Sequence, residues 1–122
     1  MVKLTLDMYM SQVYILVMQN GSSQLDGFEW DEGNRDKSRL KHKVSNGECE
    51  EIFLNQPLII LEDHKHSKEE QRYAAYGMTN DGRRLHVIFT VRERRHRVIS
   101  ARDMHRKERQ FYEDQIEADS EV

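Results

Sequence analysis

Between Gln71 and Ser100 the chain has three short runs with strand character, Gln71–Thr79, Leu85–Val91 and His96–Ser100. Asn80–Asp81–Gly82 joins the first two runs, a sequence suited to a tight hairpin, and the charged turn Arg92–Glu93–Arg94–Arg95 joins the second to the third. Strands joined by turns this short pair antiparallel. A meander is therefore expected, and it limits where every other segment can pack.

Upstream of the meander, Leu58–Leu61 reads as a buried strand that follows the single proline, Pro57. Ser45–Leu54 reads as a helix: Ser45 caps it, Glu48 completes a capping box, and Cys49, Ile52 and Phe53 form the apolar face. Asp31 is a candidate N-cap for a charged surface helix ending near Lys43, and Phe28–Glu29–Trp30–Asp31 reads as a short strand before it. Trp30 reads as a core or staple aromatic. His105–Ala118 reads as a final helix with Phe111, Tyr112 and Ile116 as its stripe. At the start, Gln12–Gln19 is β-branched and apolar and ends at the turn residues Asn20–Gly21, so one strand is expected there.

Helices followed by antiparallel strands indicate an α+β fold, here with two N-terminal helices and a C-terminal helix packed on one face of the meander. With 122 residues there is room for one domain. The expected organisation is an N-terminal extension over 1–27, a domain over 28–118 and a tail over 119–122 that frays. The longest apolar runs, Val13–Met18 and Pro57–Leu61, fall short of the ~20 residues a membrane helix needs. Met1–Val2–Lys3 does not open a signal peptide. A single cysteine, Cys49, makes no internal disulfide and gives no zinc spacing. A reducing cytoplasm is the expected location. Asp63, His64 and His66 form only a weak metal motif, because the histidines are two apart in a loop with no further ligand nearby.

The net charge of −3 conceals an asymmetry. From Arg83 to Arg109 there are nine arginines and Lys107 against Glu93, Asp103 and Glu108, so this stretch carries +7 and the remainder −10. Such polarity suits an anionic partner, or else a solvated strand face beside a charged helix. Arginine outnumbers lysine nine to one in this stretch. That favours phosphate, which a guanidinium fork binds bidentately.

Several residues in order then resemble a known family. They are Phe28–Glu29–Trp30–Asp31, Lys41–His42 followed by Val44, His66–Ser67, Glu70–Gln71–Arg72–Tyr73 and Gly77. Val87, Phe89–Thr90, Arg97–Val98–Ile99–Ser100–Ala101–Arg102, Glu108 and Tyr112 continue the series. Together they resemble the BrnT toxins of bacterial type II toxin–antitoxin systems, whose fold is similar to the RelE-type ribonucleases. The resemblance spans Phe28 to Glu113, and the Arg97–Arg102 block before a basic helix is its strongest element. The chain departs from the family pattern at Lys43, where glycine is usual, and at Ser38, Gln71 and Met78.

The resemblance implies a metal-independent endoribonuclease that inhibits translation, without a cofactor. It also implies a BrnA-like ribbon-helix-helix antitoxin, and operator DNA reached through the complex with it. Such a reaction needs a group to take the 2′-hydroxyl proton, a group to protonate the leaving 5′-oxygen, and cations for the phosphorane. His42 is an acid–base candidate, or a surface histidine favoured by its helix C-terminus. Glu70 and Arg72, two apart on an expected strand, read as a base beside a phosphate-binding cation, or as a salt bridge. Arg102 reads as a transition-state cation, or as a positive strand edge. Alternation puts Val98 and Ser100 on one face and Arg97, Ile99 and Ala101 on the other. Lys41, His66, Arg97 and Arg106 complete the expected RNA-binding set. The alternatives are an inactive RNA- or protein-binding module of the same fold, and an unrelated α+β domain that uses its arginines for protein contacts.

Overall fold

The computed structural model of the chain describes residues 25–120, so the strand expected over Gln12–Gln19 lies outside the described residues. In chain order the elements are helix α1 (Lys37–His42), helix α2 (Asn46–Leu54), strand β1 (Ile59–Glu62) and a 3-10 turn at His64–His66. Strands β2 (Tyr73–Met78), β3 (Arg84–Arg92) and β4 (Arg95–Asp103) and helix α3 (Arg106–Ser120) follow. The sheet order is β1-β2-β3-β4 with every neighbour antiparallel, an α+β fold built on the expected meander. The turn between β3 and β4 holds Glu93 and Arg94 at φ 50 and 66. Two successive positive φ values match the twist of a two-residue hairpin.

Helix α2 forms as its sequence demands. Glu48 N–H donates to Ser45 Oγ at 3.0 Å and Ser45 N–H donates to Glu48 Oε1 at 2.9 Å, a complete capping box. Cys49, Ile52 and Phe53 are buried against one sheet face with Val44, Leu58, Ile60, Ala75, Leu85, Val87, Phe89, Val98 and Ala101. Burial pushes the Cys49 thiol up to about 12, so this cysteine is an apolar filler and not a nucleophile. Gly77 admits α2 to close range: a Cβ there would lie 3.0 Å from Ile52 Cβ and 3.2 Å from its carbonyl oxygen.

Three expectations are corrected by the structure. The helices do not share a face. Strand alternation turns Ile59 and Tyr76 away from α2, and there they form a second cluster with Met104, Met78, Tyr112, Phe111 and Ile116, so α3 covers the opposite side. Tyr112 is fully buried and its hydroxyl donates to Pro57 O at 2.5 Å, which ties α3 to the start of β1.

The helix expected over Asp31–Lys43 is only Lys37–His42, and Phe28–Asp31 is not a strand but makes a single bridge, Phe28 to His96. The cause is competition for side chains. Asp31 takes Gly33 N–H and the Arg97 fork, and Asn34 Nδ2 donates to Glu29 O and Val98 O. Asp36 stands at φ 60, which breaks a right-handed helix before it begins. In exchange, the outer edge of β4 is covered: Asn34 satisfies Val98 O, and Ser38 Oγ accepts from Ala101 N–H at 2.9 Å. His96 is buried between Phe28 and Phe53, with Nδ1 against Gly27 O.

Lys43 closes α1 at φ 58, ψ 37, where an L-residue is strained and glycine is at ease. Lys43→Gly relieves a penalty of about 1 kcal/mol and is partly offset by the freer unfolded chain, for a net gain of about 0.5 kcal/mol. Urea unfolding is expected to show a higher midpoint at unchanged slope, and a lower midpoint contradicts this account.

Candidate active site

One extra residue decides what β4 presents. Val98 pairs with Phe89 and Ser100 pairs with Ile88, so Ile99 is inserted opposite the Ile88–Phe89 step as a bulge. Simple alternation, which groups Val98 with Ser100 and Ala101 with Arg97, fails at this point. Val98 and Ala101 both face the α2 side, while Ser100 and Arg102 face the other. Arg102 then lies directly opposite His86 on β3, which in turn is opposite Tyr76 on β2.

These three side chains and Ser100 line an open cleft of about 380 Å3 on the α3 side of the sheet, with Glu62 and Asp63 at its rim. The Tyr76 and His86 rings are 5.0 Å apart. Arg102 donates to Glu108 through both terminal nitrogens at 2.8 and 3.0 Å and to Asp103 O at 3.0 Å. Glu108 also accepts from His105 N–H at 2.7 Å, so one carboxylate fixes both the start of α3 and the guanidinium. Those contacts use three of the five N–H hydrogens that an arginine fork carries.

Charge states follow from this packing. Burial holds the His86 imidazole down at about 4, and the nearby Arg102 charge adds to the effect. Burial, then Glu108, pushes the Tyr76 phenol up to about 12. The Arg102 fork holds Glu108 at about 2 against its own desolvation. Near neutral pH one cleft thus contains a neutral imidazole, a protonated phenol and a guanidinium: a proton acceptor, a proton donor and a cation.

A family model described as the ribonuclease toxin BrnT of type II toxin–antitoxin systems matches residues 30–108. The chain belongs to the BrnT family. No curated protein matches it. The matched span starts at Trp30, whose Nε1 donates to Glu50 at 2.7 Å, and closes on Glu108, which holds the Arg102 guanidinium.

The residues expected to act together are dispersed in this BrnT chain. His42 and exposed Lys41 end α1, where Arg83 clamps the turn by donating to His42 O and Lys43 O while bridging Glu48 and Asp103. That cluster sits at the end of the sheet that α1 and α2 cover. Glu70 and Arg72 are not on a strand, since β2 begins at Tyr73. They lie in the loop before it, where Glu70 receives the Arg92 guanidinium at 3.2 and 3.3 Å and is held below the usual carboxylate range by it. Arg97 is consumed by Asp31 and Glu29, and its side chain is only 13% exposed. Arg106 is exposed in the first turn of α3. The His66 side chain lies outside the described residues. No described group of three or more His, Cys, Asp and Glu residues gathers as metal ligands, and no described helix is long and apolar enough to cross a membrane.

The charge asymmetry of the sequence is largely neutralised within the fold. Seven of the nine arginines between 83 and 109 have a carboxylate within ion-pair distance: Arg83, Arg84, Arg92, Arg94, Arg95, Arg97 and Arg102. The carboxylate partners of Arg92, Arg94, Arg95 and Arg97 all come from the acidic remainder of the chain. Sequence reasoning missed His86, Tyr76 and Glu108 as site residues. Period-two alternation from the Asn80–Gly82 hairpin does place Tyr76 and His86 on one face, but nothing local announces the bulge that brings Arg102 there.

The unfolded chain protonates His86 near 6.5, well before the folded chain does at about 4. The unfolded state therefore binds more protons in that window, and stability falls as pH drops through it. His86→Gln is expected to flatten the decline of thermal midpoint between those pH values. A decline as steep as the parent's contradicts the assignment.

Proposed function

We propose that this BrnT-family chain is a metal-independent endoribonuclease that works in the sheet-face cleft, on a fold we read as RelE-like. The observation that carries the reading is the cross-strand placement of Arg102 opposite His86 beside Tyr76, in a chain whose family is one of ribonuclease toxins. In this reading Arg102 is the cation for the phosphorane. His86, neutral at working pH, accepts the 2′-hydroxyl proton. Burial and Arg102 set its low proton affinity, and a phosphate seated on Arg102 adds negative charge beside the ring and raises it. Tyr76 keeps its proton until the 5′-oxygen leaves. Glu108 presents the guanidinium and yields part of it to phosphate.

His42 and Glu70 stand with other partners, at Arg83 and Arg92 respectively, and take supporting roles in this scheme. The biological setting we propose is cytoplasmic: RNA cleavage inhibits translation, a BrnA-like ribbon-helix-helix antitoxin neutralises the chain, and the complex reaches operator DNA through the antitoxin. A second reading is favoured by one observation, the closed Arg102–Glu108 fork, and treats the chain as a silent RNA binder of the same fold.

The test is cleavage of a labelled structured RNA in excess chelator by the parent and by single variants. Arg102→Ala and His86→Ala are each expected to slow cleavage by roughly 100-fold or more, as removal of a charge-stabilising or proton-transfer group does. His42→Ala and Glu70→Ala are expected to slow it far less. Full activity in Arg102→Ala with loss in Glu70→Ala contradicts the site. Binding without any cleavage by the parent favours the silent module.

A further inference from the structure

The cleft just described contains the chemistry but little net positive charge, since Glu62 and Asp63 line it and Glu108 offsets Arg102. A polyanion needs anchoring elsewhere. Most of the arginines are already paired within the fold, and the cations left for a polyanion are those with no carboxylate at ion-pair distance among the described residues.

Such a group lies in the loop between β1 and β2. Lys65, Lys68 and Arg72, together with Glu69 and Glu70, line a second cleft of about 550 Å3. Glu70 is neutralised from outside by Arg92, so the lining keeps an excess of positive charge.

Five hydrogen bonds hold this loop in shape. Asp63 N–H donates to Arg72 O at 2.8 Å and closes the neck. Ser67 Oγ donates to Asp63 O at 2.6 Å and accepts from Arg72 N–H at 2.9 Å. Gln71 Nε2 donates to Glu62 at 2.5 Å, and Thr90 Oγ1 donates to Gln71 O at 2.7 Å. The loop is thereby fastened to both β1 and β3, and its cations project from a fixed base. The neck residue Asp63 also lines the sheet-face cleft, so the chain leads directly from that cleft into the loop that forms the second.

We infer that the Lys65–Lys68–Arg72 cleft is an anchoring subsite for the phosphate backbone of single-stranded RNA, next to the scissile position. This deepens the ribonuclease reading and rests on it for the second cleft's role. Lysine point charges and one arginine fork suit successive phosphates without reading bases, so the subsite adds affinity and no sequence preference.

The experiment measures binding of a labelled 2′-O-methyl single-stranded oligoribonucleotide, which cannot be cut, across a range of salt concentrations. The parent is compared with K65Q/K68Q/R72Q, with K65R/K68R and with Lys37→Gln, an exposed lysine on α1 at the β4 edge of the sheet. The inference predicts that the triple variant binds about 10- to 100-fold more weakly, with a slope of log affinity against log salt shallower by about 2. It predicts that K65R/K68R and Lys37→Gln keep the parent slope, all variants retaining the parent's thermal midpoint.

A triple variant that folds and keeps the parent slope overturns the inference, as does one that binds RNA normally yet loses affinity for an acidic protein partner. A parent that binds with the predicted slope change but cuts no ordinary RNA refutes the ribonuclease reading and leaves the subsite standing. Cleavage by the parent with no slope change does the reverse.

Discussion

With Ile99 inserted opposite the Ile88–Phe89 step, β4 turns Ala101 inward and Arg102 outward, and much of the molecule answers to that phase. Inward, Val98 and Ala101 complete the core beneath α2. Along the strand edge, Asn34 and Ser38 take up the Val98 carbonyl and the Ala101 amide, which is why residues 31–36 fold as turns instead of helix. Outward, Arg102 meets His86 across the ladder and is caught by Glu108, which also caps α3. Remove the insertion and Arg102 would point into the apolar layer, where an unpaired guanidinium is prohibitive.

The ion pairs have a comparable reach. Arg83 joins the α1 terminus, the α2 capping box, the β2–β3 hairpin and the end of β4, through Lys43 O, Glu48 and Asp103. Exposed pairs of this kind contribute little energy each. Their effect here is geometric: they distribute an uneven sequence charge over the surface and leave a few cations unpaired. Those unpaired cations are where a polyanion has the most to gain.

Much of this was legible beforehand. The hairpin at Asn80–Gly82, the capping box at Ser45 and Glu48 and the α2 apolar face are local signals, and local structure obeyed them. The family resemblance read from the motifs agrees with the family match. What could not be read were the long-range choices. Asp31 looks like a helix cap until Arg97, distant in sequence, claims it. Glu70 and Arg72 look like strand neighbours until Ser67 and Arg92 hold them in a loop. α3 carries an amphipathic stripe that would fit either face of the sheet, and Tyr112 reaching Pro57 is what selects one. His86 is inconspicuous in sequence because its significance comes from Arg102 across the ladder.

The most direct measurement is a backbone-amide NMR titration with a non-cleavable 2′-O-methyl dinucleotide, too short to span both clefts. If the chemistry belongs to the sheet face, the shifted resonances centre on Tyr76, His86, Ser100 and Arg102, with the His86 ring titrating at higher pH when the dinucleotide is bound. Shifts centred on His42 and Lys43, with that face undisturbed, would contradict the account.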